Sequence, residues 1–367
     1  MATVQLRDVS KHFGSLIALD KVNFETRDGE FFFILGPSGA GKSTIFNLIS
    51  GLLPLKEGEV LIDGNVVNKL EPRNRDVAVA FESYALYPNK TVFENLAFPL
   101  RAPMRRKDFT EDQVKKTVHQ IAELLQIDEF LERLPSQLSG GQKQRVSLGR
   151  TLVRRPKVYL FDEPIAHLDA KLRHKMRGEL KRLQKELGVS AIFATPDQLE
   201  AVSMADRVVV IDHGRVQQIG TPEDLYFRPA NAFVAEHVGD PRINMVDGVV
   251  KSDGGKTFLE FGTARLAVPD DGGPKLTDKA LPSRVRIGIR PSNFEIARAS
   301  DGNGMVPGSV AFTQISGDVQ VIKVDTGGET VTIKAEVEDN YRVGEKLWLK
   351  LRNSRIYLFD PESGVAL

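Results

Sequence analysis

The chain has 367 residues, 41% of them hydrophobic, which is long enough for one large domain plus a smaller one. Its 50 Lys and Arg balance 49 Asp and Glu, so a formal net charge of +1 gives no broad basic field and argues against nucleic acid as the principal partner. The absence of cysteine excludes disulfides and thiolate metal sites. With no basic-then-apolar leader at the N-terminus and no apolar run near the ~18 residues that span a bilayer, any membrane role is expected to go through a partner.

Short apolar strands alternate with helical stretches up to Val238, which predicts an α/β domain with a mainly parallel sheet wrapped by helices and an antiparallel piece from the N-terminal strands. The first strand is expected over residues 4–9. Next, the apolar run Phe31-Phe32-Phe33-Ile34-Leu35 reads as a strand and Thr44-Ile45-Phe46-Asn47-Leu48-Ile49 as a helix. Between them, Gly36-Pro37-Ser38-Gly39-Ala40-Gly41-Lys42-Ser43 fits G-x-x-x-x-G-K-[ST]. Glycines let such a loop curl until successive N–H groups point at the α- and β-phosphates of a nucleotide, and the helix that follows adds its positive end. Gly36, Ser38, Gly39, Ala40, Gly41, Lys42, Ser43 and Thr44 are therefore the candidate nucleotide-binding residues. Lys42 would reach the β/γ-phosphates, and the Ser43 hydroxyl would ligate Mg²⁺.

A further strand is predicted over residues 77–81, after which residues 88–153 turn helical, with apolar positions at helical spacing over residues 111–125. Residues 101–107 place four basic side chains around Pro103 and read as a solvated loop or a contact with lipid headgroups. Leu138-Ser139-Gly140-Gly141-Gln142 opens a helix predicted over residues 142–153, so Ser139 and the N–H groups of Gly140 and Gly141 offer a second anion site at a helix start. The strand Val158-Tyr159-Leu160-Phe161 then runs into Asp162-Glu163. That arrangement suits a nucleotide hydrolase, with Asp162 in the Mg²⁺ shell and Glu163 as general base. Strands over residues 191–194 and 208–211 complete the pattern.

The order of phosphate loop, Leu-Ser-Gly-Gly-Gln signature, Asp-Glu pair and Leu168-Asp169 resembles the ATP-binding cassette family. The resemblance implies a P-loop NTPase cassette with a helical subdomain over about residues 88–153, ATP and Mg²⁺ as cofactors, and two cassettes meeting head to tail. Each ATP would then lie between one chain's phosphate loop and the partner's Ser139, Gly140, Gly141 and Gln142. Phe13 stands where related cassettes stack an aromatic on adenine, with a core position at the end of the first strand as the alternative. Asp169 would approach the partner.

Two positions depart from the family pattern. Glu82, in Phe81-Glu82-Ser83-Tyr84-Ala85-Leu86-Tyr87-Pro88, replaces a glutamine that ligates Mg²⁺ and water, and it brings a negative charge toward γ-phosphate and Glu163. Pro196, in Ala194-Thr195-Pro196-Asp197, replaces a histidine that senses γ-phosphate. Proline has neither a side-chain donor nor an N–H, and losing one transition-state contact of this kind typically costs 10²-fold or more in rate. Either Pro196 is tolerated, or this chain binds ATP, turns it over slowly and lends its intact signature to a second cassette. His167, where the family has asparagine, is either a solvated loop residue or a donor across the dimer.

Beyond Pro241 short alternating strands replace helices, as over residues 319–324 and 330–335, with breaks at residues 253–255, 270–274, 301–304 and 327–328. Gly288-Ile289-Arg290-Pro291-Ser292 and Leu358-Phe359-Asp360-Pro361-Glu362-Ser363-Gly364 resemble the small all-β, OB-like regulatory domain of cassettes that energise carbohydrate and polyol importers. The expected organisation is a nucleotide-binding domain over residues 1–238 and a C-terminal β-barrel for regulation and dimerisation over residues 239–367. The expected activity is ATP hydrolysis for a bacterial importer of a sugar, polyol or glycerol-type solute, at the cytoplasmic face of the inner membrane. Its partners would be a second cassette, preferably a different one, two transmembrane permease subunits and, indirectly, an external solute-binding protein, with no nucleic acid. The alternative is an ATP-binding structural or regulatory cassette of negligible turnover.

Overall fold

The computed structural model describes residues 2–81, 84–102, 109–154, 156–270, 282–300 and 305–367, and it divides into two compact units, Met1–Pro222 and Glu223–Leu367. The first unit begins β1 (Val4–Phe13), β2 (Leu16–Glu25), β3 (Phe31–Leu35), α1 (Lys42–Ser50), β4 (Glu57–Ile62), β5 (Asn65–Val66) and β6 (Val77–Ala80). Helices α2 (Val92–Ala97), α3 (Glu111–Leu125) and α4 (Gly140–Leu152) follow, matching the helical stretch expected there. It ends with β7 (Val158–Asp162), α5 (Ala170–Leu187), β8 (Ser190–Thr195), α6 (Gln198–Met204), β9 (Arg207–Asp212) and β10 (Arg215–Gly220).

These strands form an antiparallel sheet in the order β2-β1-β4-β5 and a second sheet in the order β10-β9-β3-β8-β7-β6, parallel except for the β9–β10 pair. All five residues of β3 are buried, as expected of a central parallel strand covered on both faces. Phe33 stacks on Phe193 with centroids 4.6 Å apart, and Phe31 and Phe161 pack around that pair. Phe32 and Ile34 point the other way, into a core shared with α1 and the antiparallel sheet. Burying each such side chain stabilises the fold by roughly 2–3 kcal/mol, so the strand that precedes the phosphate loop is anchored from both sides.

The second unit contains α7 (Pro222–Phe227) and α8 (Ala232–His237) and then only strands and short 3₁₀ turns. The strands are β11 (Asn244–Asp253), β12 (Lys256–Phe261), β13 (Ala264–Ala267), β14 (Val285–Ile289), β15 (Phe294–Ala297), β16 (Val306–Ser316), β17 (Val319–Asp325), β18 (Thr330–Glu336), β19 (Lys346–Leu351) and β20 (Tyr357–Phe359). They make two five-stranded antiparallel sheets, β13-β12-β11-β14-β20 and β15-β19-β16-β17-β18, whose inner residues, Leu259 and Ile287 from one and Ile322 and Leu349 from the other, share one core. The breaks expected at residues 253–255 and 327–328 are the turns of the β11–β12 and β17–β18 hairpins. Those at residues 271–274 and 301–304 lie outside the described residues, as do residues 103–107 of the basic run; Arg101 is paired with Glu111 at 2.6 Å.

The compact units part after Pro222, whereas the sequence suggested residue 238. Arg290 accounts for the difference. Its buried guanidinium donates to the carbonyls of Ala235 at 3.0 Å, of Val238, and of Tyr226 at 2.8 Å, and it lies 4.2 Å from the Tyr226 ring. A cation at the end of β14 thus satisfies the carbonyls that close α8, where the helix dipole is negative, and binds both short helices to the β unit. Replacement of Arg290 by Met should remove the guanidinium donors from the Ala235 and Val238 carbonyls, leave the Tyr226 carbonyl only the Tyr357 hydroxyl at 3.3 Å, and destabilise the second unit by on the order of 3 kcal/mol. Denaturant unfolding followed by the single tryptophan, Trp348 in β19, would measure it.

Candidate functional site

The site is set by parallel register. Leu35 at the end of β3 pairs with Thr195 of β8, and Asp162 at the end of β7 pairs with Ala194, so the three strand ends emerge side by side. The Gly36 N–H reaches the Thr195 carbonyl at 3.4 Å and the Glu163 N–H reaches the Ala194 carbonyl at 3.1 Å, which carries the alignment one residue past the strands. Ligands in open α/β sheets bind at this edge, outside the carboxyl ends of the strands.

Gly36 leads into a loop with Gly39 at φ +82° and Gly41 at φ +105°, conformations that side-chain-bearing residues rarely adopt. A Cβ on Gly41 would meet the Ala18 carbonyl at 2.8 Å, and one on Gly36 the Ile211 carbonyl at 2.2 Å. Gly41 caps α1 without any side-chain hydrogen bond, so the first N–H groups of that helix are left to an anion. Gly36 and Ala40 are buried beneath the loop, while Ser38, Gly39, Gly41, Lys42, Ser43 and Thr44 line a cleft of about 460 Å³.

Phe13, Leu16 and Ile17 also line this cleft. Phe13 is 46% exposed, so it is an open face for a base to stack on and not a core residue. Leu16 and Ile17 were not anticipated from the sequence. Their signal was an apolar pair at the start of the second strand, and both are exposed where they line the cleft. The cleft therefore joins apolar side chains to the residues of the phosphate loop.

Lys42 is only 4% exposed; its ammonium donates to the carbonyls of Gly36 at 3.0 Å and Pro37 at 3.1 Å and lies 3.6 Å from the Glu163 carboxylate. A β/γ-phosphate entering the loop would compete with Glu163 for this cation. Ser43 is exposed in the cleft, and Asp162 is buried at the end of β7. A hydroxyl and a carboxylate are the hard oxygen donors that Mg²⁺ takes when phosphate and water fill the rest of its shell. Glu163 adopts φ +47°, a left-handed backbone that costs a non-glycine residue roughly 1–2 kcal/mol. Glu82, the remaining predicted catalytic and metal-binding residue, lies outside the described residues.

Ser139 to Gln142 do not line this cleft. Ser139 caps α4, its hydroxyl accepting the Gln142 N–H at 3.4 Å while the Gln142 side chain accepts the Ser139 N–H at 2.8 Å. Ser139 and Gly140 are exposed, and among the described residues nothing closer than the Tyr84 hydroxyl, at 3.7 Å, approaches the Cβ position of Gly140. The cleft beside α1 and the start of α4 are thus two separate faces of one chain. Asp169 caps α5 through the Leu172 N–H at 2.9 Å, and His167 is exposed, its ring edge-on to Tyr84. Pro196 is exposed at the end of β8, beside Glu163 and the phosphate loop, and offers no donor there.

Two further polar groups had no sequence signal. Gln144 reaches the carbonyl of Glu163 and the N–H of His167. Glu200, buried in α6, accepts the Thr195 hydroxyl at 2.6 Å, and the same hydroxyl accepts the Asp197 N–H at 2.9 Å, so this carboxyl fixes the turn that contains Pro196. Burial pushes the Glu200 carboxyl up to about 7 from an ordinary 4.5; the Thr195 hydrogen bond pulls the other way.

The sheet, the loop and the Asp-Glu strand end together define a phosphate-loop nucleotide triphosphatase. The family model "ABC transporter" matches residues 19–166, and the model "TOBE domain" matches residues 287–359. The chain is 40% identical over 378 residues to the trehalose/maltose import ATP-binding protein MalK of Thermococcus litoralis, with 100% of each covered. It is 38% identical over 364 residues to the sn-glycerol-3-phosphate import ATP-binding protein UgpC 1 of Rhizobium johnstonii, covering 99% of this chain and 96% of the relative. A solved dimer of the ATP-binding cassette MJ0796 in a post-hydrolysis state, bound to ADP and Pi, superposes with a TM-score of 0.55 at 33% identity, covering 59% of this chain and 98% of that one. The chain belongs to the ABC transporter family. It is the family's ATPase component, with ATP and Mg²⁺ as its cofactors, and no described helix is long and apolar enough to cross a membrane.

A carboxyl whose folded pKa is raised stabilises the fold below its unfolded pKa and loses that contribution as pH rises through the folded value. The melting temperature of the natural chain minus that of Glu200→Gln is therefore expected to fall between pH 4.5 and about 7. Parallel melting curves across that window would show that Glu200 does not titrate there.

Proposed function

We propose that this chain energises a bacterial importer for a sugar, polyol or glycerol-type solute, that its own site is impaired, and that it works beside a second, catalytically intact cassette. The observation that carries the impairment is Pro196. It stands at the end of β8 within the cluster of strand ends that holds the phosphate loop and Glu163, and it offers no hydrogen-bond donor. Import, and the solute class, are supported by the names of full-length relatives that import trehalose and maltose or glycerol-3-phosphate.

In this reading Phe13 stacks on adenine, while Gly36, Ser38, Gly39, Ala40, Gly41, Lys42, Ser43 and Thr44 hold the phosphates, Gly36 and Ala40 by keeping the loop's curl. Ser43, Asp162 and Glu82 would hold Mg²⁺, which when bound would supply charge neutralisation at the phosphates. Lys42 moves from Glu163 to the β/γ-phosphates, and the freed carboxylate takes a proton from the attacking water. Without a donor at position 196, charge on the γ-phosphate in the transition state has one partner fewer. Ser139, Gly140, Gly141 and Gln142 meanwhile face the partner's γ-phosphate, and because Ser139 and Gln142 already cap one another, this second anion site is rigid before the partner arrives. A different cassette is therefore the favoured partner, and a second copy of this chain the other. Domain limits of 1–238 and 239–367 remain the proposed functional division, with the β unit serving regulation and dimerisation.

Two transmembrane permease subunits would dock on the helical region. Tyr87 and Phe98, about 40% exposed with rings 4.5 Å apart, offer an apolar surface there, and Asn95 pins the Tyr87 backbone from beneath. ATP closes the cassette pair, closure pushes the permeases, and hydrolysis resets them. The chain would sit on the cytoplasmic face of the inner membrane and meet the external solute-binding protein only through the permeases. A structural or regulatory cassette of negligible turnover is the second reading, favoured by the same Pro196.

Steady-state ATP hydrolysis by the purified chain, at a concentration that permits dimers, should be slow. The pair Glu82→Gln with Pro196→His should raise it by roughly 10²-fold. An ordinary rate in the natural chain would end the impaired-site proposal, and no gain in the double variant would favour the non-hydrolysing reading.

A further inference from the structure

Gln144 lies on α4 two residues past Gln142, the last residue of the signature, roughly 3 Å further along the helix. It is 3% exposed, and both ends of its amide are used. Nε2 donates to the carbonyl of Glu163 at 3.1 Å, and Oε1 accepts the N–H of His167 at 3.0 Å. One neutral side chain thus spans the loop from the general base to the residue before Leu168. The signature also runs close to the same loop, since a Cβ added to Gly141 would stand 3.5 Å from the His167 carbonyl. From the opposite side, Arg173 of α5 donates to the carbonyls of Ala166 at 2.9 Å and Leu168 at 3.1 Å.

The loop needs this support because Glu163 holds φ +47°. Such a backbone persists only where its surroundings over-determine it, and the two peptide groups flanking that torsion are held by Ala194 on one side and Gln144 on the other. Releasing the Gln144 end lets the residue relax toward an ordinary backbone and swings its carboxylate away from Lys42 and the phosphate loop.

We infer that Gln144 is a positioning residue that ties the signature helix to the chain's own Glu163, so that engagement of the signature by a partner's γ-phosphate is transmitted to the general base of this chain's site. The tie is mechanical. A shift of α4 carries the Gln144 amide with it, and the Glu163 carbonyl and His167 N–H follow. This rests on the proposed head-to-tail pairing and deepens it, giving each site a means of sensing whether the other is filled.

Two variants separate the bonds. Gln144→Met removes both at similar volume, and Gln144→Glu keeps an acceptor for His167 while losing the donor to Glu163. Hydrogen–deuterium exchange of the full chain should show the His167 amide exchanging at least 10-fold faster in Gln144→Met and near the natural rate in Gln144→Glu, with β3 and β7 unchanged and the affinity for MgATP within 2-fold. In the Glu82→Gln, Pro196→His background both variants should lower kcat at least 10-fold with KM for ATP little changed, because both lose the Glu163 bond. Unchanged exchange at His167, or an unchanged kcat, would overturn the inference. General loss of protection or of ATP affinity would also overturn it, marking Gln144 as a residue of the fold alone. If the repaired background with natural Gln144 shows no turnover, the proposed function fails, and exchange at His167 still decides for or against the tie.

Discussion

Everything at this site depends on three parallel strands ending in register. The pairings of β3 with β8 and of β8 with β7 bring the loop after Leu35, the acids at Asp162 and Glu163 and the turn at Pro196 to one edge of one sheet, although they are scattered over 160 residues of sequence. Apolar packing enforces that register. A shift of one residue would turn Phe31 and Phe33 out of the layer they share with Phe193 and drive Phe32 and Ile34 from theirs. The core and the chemistry are thus one constraint, since the side chains that cannot be moved are those that aim the phosphate loop.

On that frame, charge is arranged to be exchanged. Lys42 is buried with its cation shared between two loop carbonyls and Glu163, an arrangement that a phosphate can take over, because an anion with several oxygens offers more than a carboxylate at 3.6 Å. The signature, in contrast, completes its own capping through Ser139 and Gln142 and leaves Ser139 and Gly140 exposed. In the proposed function a lysine that changes partners and a fixed cap suit different tasks: the first binds and responds, the second completes a neighbour. In the proposed pairing, the departure at Pro196 falls on the responding site and leaves the other intact.

Much of this was legible in the sequence. Glycine at positions 39 and 41 is demanded by positive φ, the capping pair Ser139 and Gln142 follows from their spacing, and apolar β3 reads as a buried strand. The two-part organisation was also visible in the change from helical to alternating pattern. What could not be read were contacts between residues distant along the chain. Gln144 looks like any polar helix residue until Glu163 and His167 are folded against it, and Glu200 like a surface acid until Thr195 meets it in the interior. The early end of the first unit had the same cause, since α7 and α8 carry no mark of membership, and only Arg290, more than fifty residues further on, assigns them to the β unit.

Binding and hydrolysis are separable in this account, and the fate of nucleotide on the protein tests that directly. The purified chain would be loaded with MgATP, freed of excess nucleotide and quenched over time, with the bound material assayed as ATP or ADP. The account predicts about one nucleotide per chain, lost in Lys42→Ala, that remains ATP over a period in which an intact cassette would have completed many turnovers. Rapid recovery of the bound material as ADP from the natural chain would contradict it.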